Sequence, residues 1–284
     1  MTALIKRNLL VFFRDKAAVF FSLLASLIII GLYALFLSNN MASYLRDFPN
    51  AMQLVNRWLV AGLVSITSIT TAMGAFGVMV TDKSKHIIQD FYTSPINRWK
   101  LVGGYIFSAF IIGYLLSVIT LLVAQVYMLA QGGTMMTFAE YGKTLLILLL
   151  AGFANTTMMF FITAFFSTEN AFSTAATVLG TLVGFLTGIY MPIGVLPESV
   201  QWIIKVFPTS HAVVLLRQVM TGTLLESYAK VIPAETMTEV KAMLGIEYHF
   251  GQTILPGYIS LLFLAGAGVL FFLLSFIHTK RKQA

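Results

Sequence analysis

The stretch Trp58–Lys100, WLVAGLVSITSITTAMGAFGVMVTDKSKHIIQDFYTSPINRWK, decides how this chain is read. Its first 23 residues carry no charged side chain. At about 1.5 Å of rise per residue they suffice, as a helix, to cross about 30 Å of hydrocarbon. The next twenty, Thr81–Lys100, are charged and amphipathic, and a second apolar run begins at Leu101. A membrane protein has little reason to keep such an insert between two spans unless something docks on it.

The rest of the chain agrees with the apolar half of that stretch. It is 58% hydrophobic and 10% charged over 284 residues, with 24 Phe. A soluble domain carries about a quarter charged residues. The composition therefore points to an all-α integral membrane bundle, in which helices satisfy every backbone hydrogen bond internally. Cysteine is absent, which excludes disulfides and thiolate metal sites. The first apolar run is too long for a signal-peptide core and is read as a retained span.

Six transmembrane helices are expected, at residues 17–37, 58–80, 101–130, 144–166, 171–191 and 256–277. None of these six runs contains Asp, Glu, Lys, Arg or His. Eleven Lys and Arg fall in the short N-terminal, 81–100 and C-terminal segments, against seven spread over the longer opposite loops. By the positive-inside rule both termini and the 81–100 loop are cytoplasmic. The net charge of +7 thus reads as topology, with no nucleic-acid partner.

Residues 1–16 read as an interfacial helix, with Ile5, Leu9, Phe12 and Phe13 on one face and Arg7 and Arg14 opposite. A plain basic flank is the alternative. The external hairpin, 192–222, is broken by Pro192, Pro197 and Pro208 into a short helix and a second one ending near Gly222. Each piece is too short to span, so a re-entrant hairpin is expected before the last span. His211 and Arg217 read as interfacial anchors of that hairpin. The external segment 223–255 holds a solvated helix at 233–244 stopped by Gly245.

Ala176, Gly180, Gly184 and Gly188 recur every four residues along one stripe of the fifth span. Small residues at that spacing let backbones approach closely, within one subunit or between two. The second span is rich in hydroxyls (Ser65, Thr67, Ser68, Thr70, Thr71), as is the fourth with Asn155, Thr156 and Thr157; the third carries Gln125. These groups satisfy one another between helices or line a pathway. With no ionisable group in any span, proton coupling has no carrier, which disfavours a secondary transporter. The chain has no G-x-x-x-x-G-K-[ST] loop, so it does not hydrolyse ATP alone, and its four histidines have no carboxylates at metal spacing.

In the insert, 82–98 forms the cytoplasmic coupling segment, with a helix over Lys83–Tyr92 presenting Ile87, Ile88, Phe91 and Tyr92 as an apolar sector beside Asp90. Ser94 and Pro95 read as N-cap and first turn of the third span. A basic loop on anionic headgroups is the alternative to a partner-binding helix.

These features together resemble the permease subunit of ABC-2-type ABC transporters, the type V exporter fold. The likeness rests on K-x-x-x-I-I-Q-D-F-Y-T-S-P-I-N-R-W-K-L between spans two and three. It rests also on Y-M-P-I-G-V-L-P, F-P-T-S-H-A and L-L-R-Q-V-M-T-G before span six. The resemblance implies that Lys83, Ile87, Ile88, Asp90, Phe91, Tyr92, Ser94, Pro95 and Arg98 form a coupling helix docked on a separate ABC ATPase. It further implies two ATPase copies holding ATP and Mg, a second copy or related permease, and a bacterial cytoplasmic membrane. No cofactor or catalytic residue is expected in this chain. The apolar spans favour a hydrophobic or amphipathic cargo such as a drug, peptide or lipid-like compound. The alternatives are a polysaccharide or lipid-glycan exporter, and a membrane-embedded enzyme or scaffold using Glu198, His211 and Arg217.

Overall fold

The second apolar run becomes the axis of the molecule. The computed structural model describes residues 1–45, 48–94, 96–251 and 253–281. In chain order, α1 (Thr2–Arg14) leads into α2 (Lys16–Leu32), which runs on through a wide π-helical turn at Tyr33–Leu37 to α3 (Ser38–Ser43). Then come α4 (Ala51–Ala75), α5 (Gly77–Ser84), α6 (Ile87–Thr93), α7 (Arg98–Ala130), α8 (Phe138–Thr163) and α9 (Glu169–Leu186). After a 3₁₀ turn at Ile193–Val195 follow α10 (Glu198–Val206), α11 (Pro208–Tyr228) and α12 (Ala234–Met243). A two-residue antiparallel pair, β1 (His249–Phe250) with β2 (Thr253–Ile254), precedes α13 (Gly257–Arg281).

Twenty of the 25 residues of α4 are buried, because α2, α7, α8, α9 and α11 all pack on it. By contrast α2 and α13 turn most of their surface outward, only 17% and 22% of their apolar windows being buried. That difference explains four of the five hydroxyls of α4, Ser65 being buried with no partner for its hydroxyl among the described residues. Ser26 and Thr67 share a 2.7 Å hydrogen bond, and Asn155 donates to Ser68 at 3.3 Å while accepting from Thr209 at 2.8 Å. Thr70 and Thr71 bond back to their own helix.

Among the described residues, five helices or helix runs are long and apolar enough to cross a membrane: α2, α4–α5, α7, α8 and α13. The pair α10–α11, bent by 91°, adds a sixth candidate only if the two count as one broken span. The expected fifth span, 171–191, is shorter than anticipated. α9 covers 18 residues, about 27 Å, and gives way to Thr187 and to Gly188 in the left-handed region at φ +63. Ser173, Thr174, Thr177 and Thr181 interrupt its exposed apolar surface.

Two further expectations are corrected. α11 runs to Tyr228 rather than ending near Gly222, and its 21 residues, about 31 Å, are not too short to span. Its start reaches Asn155 through Thr209 and its far half reaches Arg57 through Thr223, so it lies inside the bundle along α4. Ionisable groups also lie inside the long helices. α4 begins at Ala51 and buries Arg57, and α8 begins at Phe138, closed by a Thr137–Glu140 capping box, and buries Glu140.

Candidate functional site

The end of the bundle carrying α1 and the end of α13 holds most of the insert's charge. α5 delivers Asp82, which is 1% exposed, into a cluster with α1 and α7. Arg7 grips its carboxylate with both terminal nitrogens, at 2.5 and 2.6 Å, and the Tyr105 hydroxyl donates to it at 2.6 Å. Asn8 donates to Ser108 at 3.2 Å beside them. The hydrogen bond to Asp82 raises the Arg7 guanidinium pKa further above its ordinary value, outweighing partial burial. Bidentate pairing of this kind fixes orientation as well as adding energy.

This cluster changes the reading of α1. Its buried stripe is Leu4, Asn8 and Phe12, packed on α7, where a Cβ on Gly104 would meet Leu4 at 2.5 Å. Ile5 and Leu9 are half-buried and Phe13 is exposed, so the expected apolar face is only in part the packed one. Arg7, placed by sequence opposite that face, points at protein.

Two more ties hold the insert. Lys83 donates to the carbonyls of Ala164 and Phe166 at 3.3 and 3.4 Å, in the turn between α8 and α9. Ser84 donates to Glu169 at 2.9 Å, and that bond with a second from Thr81 lowers the pKa of this exposed carboxyl. Lys83 therefore lies in the last turn of α5 and outside the coupling helix, contrary to the expectation of one helix from Lys83 to Tyr92. The break sits at His86, whose φ of +60 turns the chain by a left-handed step. Histidine tolerates that region better than branched residues do.

α6 then presents two faces. Ile87, Ile88 and Phe91 are half-buried, with Ile88 and Phe91 against the core and Arg7 5.8 Å from the centre of the Phe91 ring. Phe91 is thus not the freely exposed aromatic the sequence suggested. Lys85, His86, Gln89, Asp90, Thr93, Ile96, Arg98 and Lys100 are exposed. Ser94 does not cap α7 as expected. Its hydroxyl returns to Phe91 O at 2.8 Å, and Asn97 caps α7 by accepting from Trp99 N at 3.1 Å. Pro95 and the Tyr92 side chain lie outside the described residues and atoms. Trp99 stacks on Phe276 of α13, ring centres 4.0 Å apart, and ties the last helix to the same end.

The small-residue stripe divides. A Cβ on Gly184 would stand 2.1 Å from the Tyr190 ring, so this glycine makes room within the chain. Gly188 serves the left-handed turn after α9 has ended. Gly180 has open space before it, and with Ala176 it borders an apolar cleft of about 110 Å³ between α4 and α9, walled by Ile69, Met73 and Leu179.

At the opposite end, His211 and Arg217 are each 2% exposed and are not interfacial anchors. The His211 ring bridges Lys205 O at 2.8 Å and Ser260 Oγ at 3.0 Å. Arg217 lies 4.4 Å from the centre of the Trp58 ring and donates to the carbonyls of Thr187, Gly188 and Leu244. It closes the open carbonyl end left where α9 breaks. Pro197 immediately precedes α10 and Pro208 opens α11, while Pro192 O accepts from Val195 in the 3₁₀ turn. A second buried pair, Arg57–Glu140 at 3.1 Å, joins α4 to α8, and Thr223 of α11 donates to the same carboxylate at 2.7 Å.

The family described as ABC-2 type transporter matches residues 1–221. The chain belongs to the ABC-2 type transporter family. The match takes in α1 to most of α11, including the whole insert, and stops before α12 and α13. No curated protein matches the chain. An ABC-2 type transporter of this kind is an integral membrane permease component of an ABC transporter, and among the described residues no cluster could hold a metal. The Arg7–Asp82–Tyr105 and Arg57–Glu140–Thr223 clusters escaped sequence reasoning. Their partners stand 75 and 83 residues apart, and no periodicity links them.

Proposed function

We propose that this chain is the membrane-spanning half of an ATP-driven exporter of the bacterial cytoplasmic membrane, coupled through α6 to separate ATPase subunits. Both termini and the 81–100 insert face the cytoplasm, as the Lys and Arg distribution supports. The observation that carries the reading is the mounting of α6. One side rests on the core through Ile88 and Phe91, and α5 just before it is tied to α1, α7 and the α8–α9 turn. The other side, with Gln89 and Asp90, is open. A push on that open side is transmitted to helices at the bundle's periphery and to α4–α5 at its axis. Two permease copies, or this chain and a related one, enclose the pathway. The aliphatic cleft between α4 and α9 favours an apolar or amphipathic cargo.

The rival reading as a membrane-embedded enzyme loses two of its three candidates and keeps only the exposed Glu198. The His211 ring nitrogens and the Arg217 terminal nitrogens are all engaged with protein partners. The test is purification of the chain from native membranes in mild detergent, with ATP hydrolysis assayed on what co-purifies. A P-loop ATPase recovered with wild type and reduced in Asp90→Lys and Phe91→Ala, with the variants still inserted, is the expected result. A chain that purifies without any ATPase, or variants with full ATP-driven transport, removes the coupling role from α6.

A further inference from the structure

The cleft between the start of α4 and the α7–α8 turn, at the end opposite the insert, has a different chemistry from the rest of the molecule. It measures about 250 Å³ and is walled by amides: Asn50, Gln53, Asn56 and Gln131, with Thr134 and the Gly132–Gly133 backbone. The cleft between α4 and α9, in contrast, is almost entirely aliphatic.

The walls are fixed from behind. Asn56 is 2% exposed, and its Oδ1 accepts from Ser38 Oγ and Tyr127 Oη, both at 3.3 Å. That leaves its amide nitrogen for the cleft, with no acceptor among the described residues. Gln53 donates to Thr134 Oγ1 at 2.8 Å, and Thr134 is held in turn by Arg57 at 3.2 Å. Arg57 is paired with Glu140, so the cation behind the wall is neutralised and contributes no net charge to the cleft.

The backbone is shaped to leave the remaining amides open. Asn50 sits at the N-cap of α4, where its side chain would ordinarily bond to the helix, yet its φ of +52 turns that side chain away and no such bond forms. Gln131 follows the last residue of α7 and its side chain has no partner among the described residues. Gly132 takes φ +75, and a Cβ on Gly133 would stand 2.9 Å from Met128 O. Two left-handed steps and one close-packed glycine thus frame a pocket bordered by three amide nitrogens with no protein partner among the described residues: those of the exposed Asn50 and Gln131 and of the buried Asn56.

Amides offer a donor and an acceptor side by side, which matches adjacent hydroxyls on a ring. Among the described residues no charged side chain lines the cleft, which disfavours phosphate, carboxylate and ammonium groups. We infer that this cleft is a binding site for a neutral sugar, presented either as a free glycan or as the headgroup of a glycolipid. The inference does not depend on an ATPase partner.

Saturation-transfer NMR tests it, on the full chain in phosphatidylcholine nanodiscs with methyl glucoside, methyl galactoside and methyl N-acetylglucosaminide as probes. Saturation of ring protons of at least one glycoside is expected. Asn50→Gly, which keeps the left-handed step, and Gln131→Leu, at an exposed position, leave the fold intact. Each weakens binding about fivefold, as loss of one neutral hydrogen bond does. Nanodiscs containing monogalactosyl diacylglycerol separate the sources. Suppression of the free-glycoside signal assigns the site to a headgroup, and an unchanged signal assigns it to soluble glycan. No transfer to any glycoside, or equal transfer in wild type and both variants, overturns the proposal.

Discussion

Each end of this bundle holds an arginine clamped on a carboxylate, and the two clamps differ in what they join. At the far end Arg57 and Glu140 are almost wholly buried, with side-chain exposures of 4% and 7%, and they brace α4, α8 and α11 to one another. At the terminal end Asp82 is as deeply buried, but Arg7 is 34% exposed and rides on α1, a helix at the margin of the bundle. The far clamp locks the centre of the structure. The near clamp fastens a peripheral helix and the insert to it, within reach of water and of a partner. A single kind of ion pair thus serves as a brace at one end and a hinge pin at the other.

The comparison breaks most visibly if the far clamp is cut. Arg57→Ala leaves Glu140 buried beside Thr223 and Thr137 without its counter-charge. Removing one member of such a pair costs about 3–5 kcal/mol. Thermal unfolding in detergent should show that loss, and the double variant Arg57→Ala with Glu140→Ala should recover part of it. If the single variant melts like wild type, the pair does not brace these helices.

Cutting the near clamp should do less to the fold and more to what the fold transmits. Arg7→Ala removes two charge-assisted hydrogen bonds from a partly exposed donor while Tyr105 still serves Asp82, a loss of about 2 kcal/mol. The expected readout is faster proteolysis within 1–16 with the remainder of the bundle still resistant, together with reduced ATP-driven transport. Equal protease sensitivity at both ends would show that α1 is held by Leu4 and Phe12 packing alone.

The contrast also explains what the sequence disclosed. Apolar runs and Lys/Arg asymmetry are local properties, so the membrane class and the helical character of α2, α4, α7, α8 and α13 were legible. The insert stood out because its charged, amphipathic sequence separates two long apolar runs. The helix within it was misplaced at Lys83 because the break depends on His86 adopting a left-handed step, which composition does not announce. Arg57 and Glu140 fall just outside the expected spans 58–80 and 144–166, since hydropathy cannot tell a charge neutralised inside a bundle from one in water. Arg217 was read as snorkelling for the same reason, whereas its carbonyl partners come from Thr187, Gly188 and Leu244, on segments that meet only in the fold. The four-residue spacing of the α9 stripe was visible, but its purpose differs at each position.

That last point supplies the smallest and most discriminating change. Gly184→Ala puts a methyl into the Tyr190 ring and should cost about 1–2 kcal/mol of stability within one subunit, as overpacking does. Gly180→Leu meets open space on the same helix and should leave the melting temperature of a monomeric preparation unchanged. If α9 meets a second permease copy, Gly180→Leu alone should lower the fraction of chain crosslinked as a dimer, because only close backbone approach requires a small residue there. An unchanged dimer fraction with Gly180→Leu, alongside a destabilised Gly184→Ala, would confine the stripe to packing inside one chain. The exposed Thr174, Thr177 and Thr181, each bonded to the carbonyl four residues earlier, would then face lipid with their donors already satisfied.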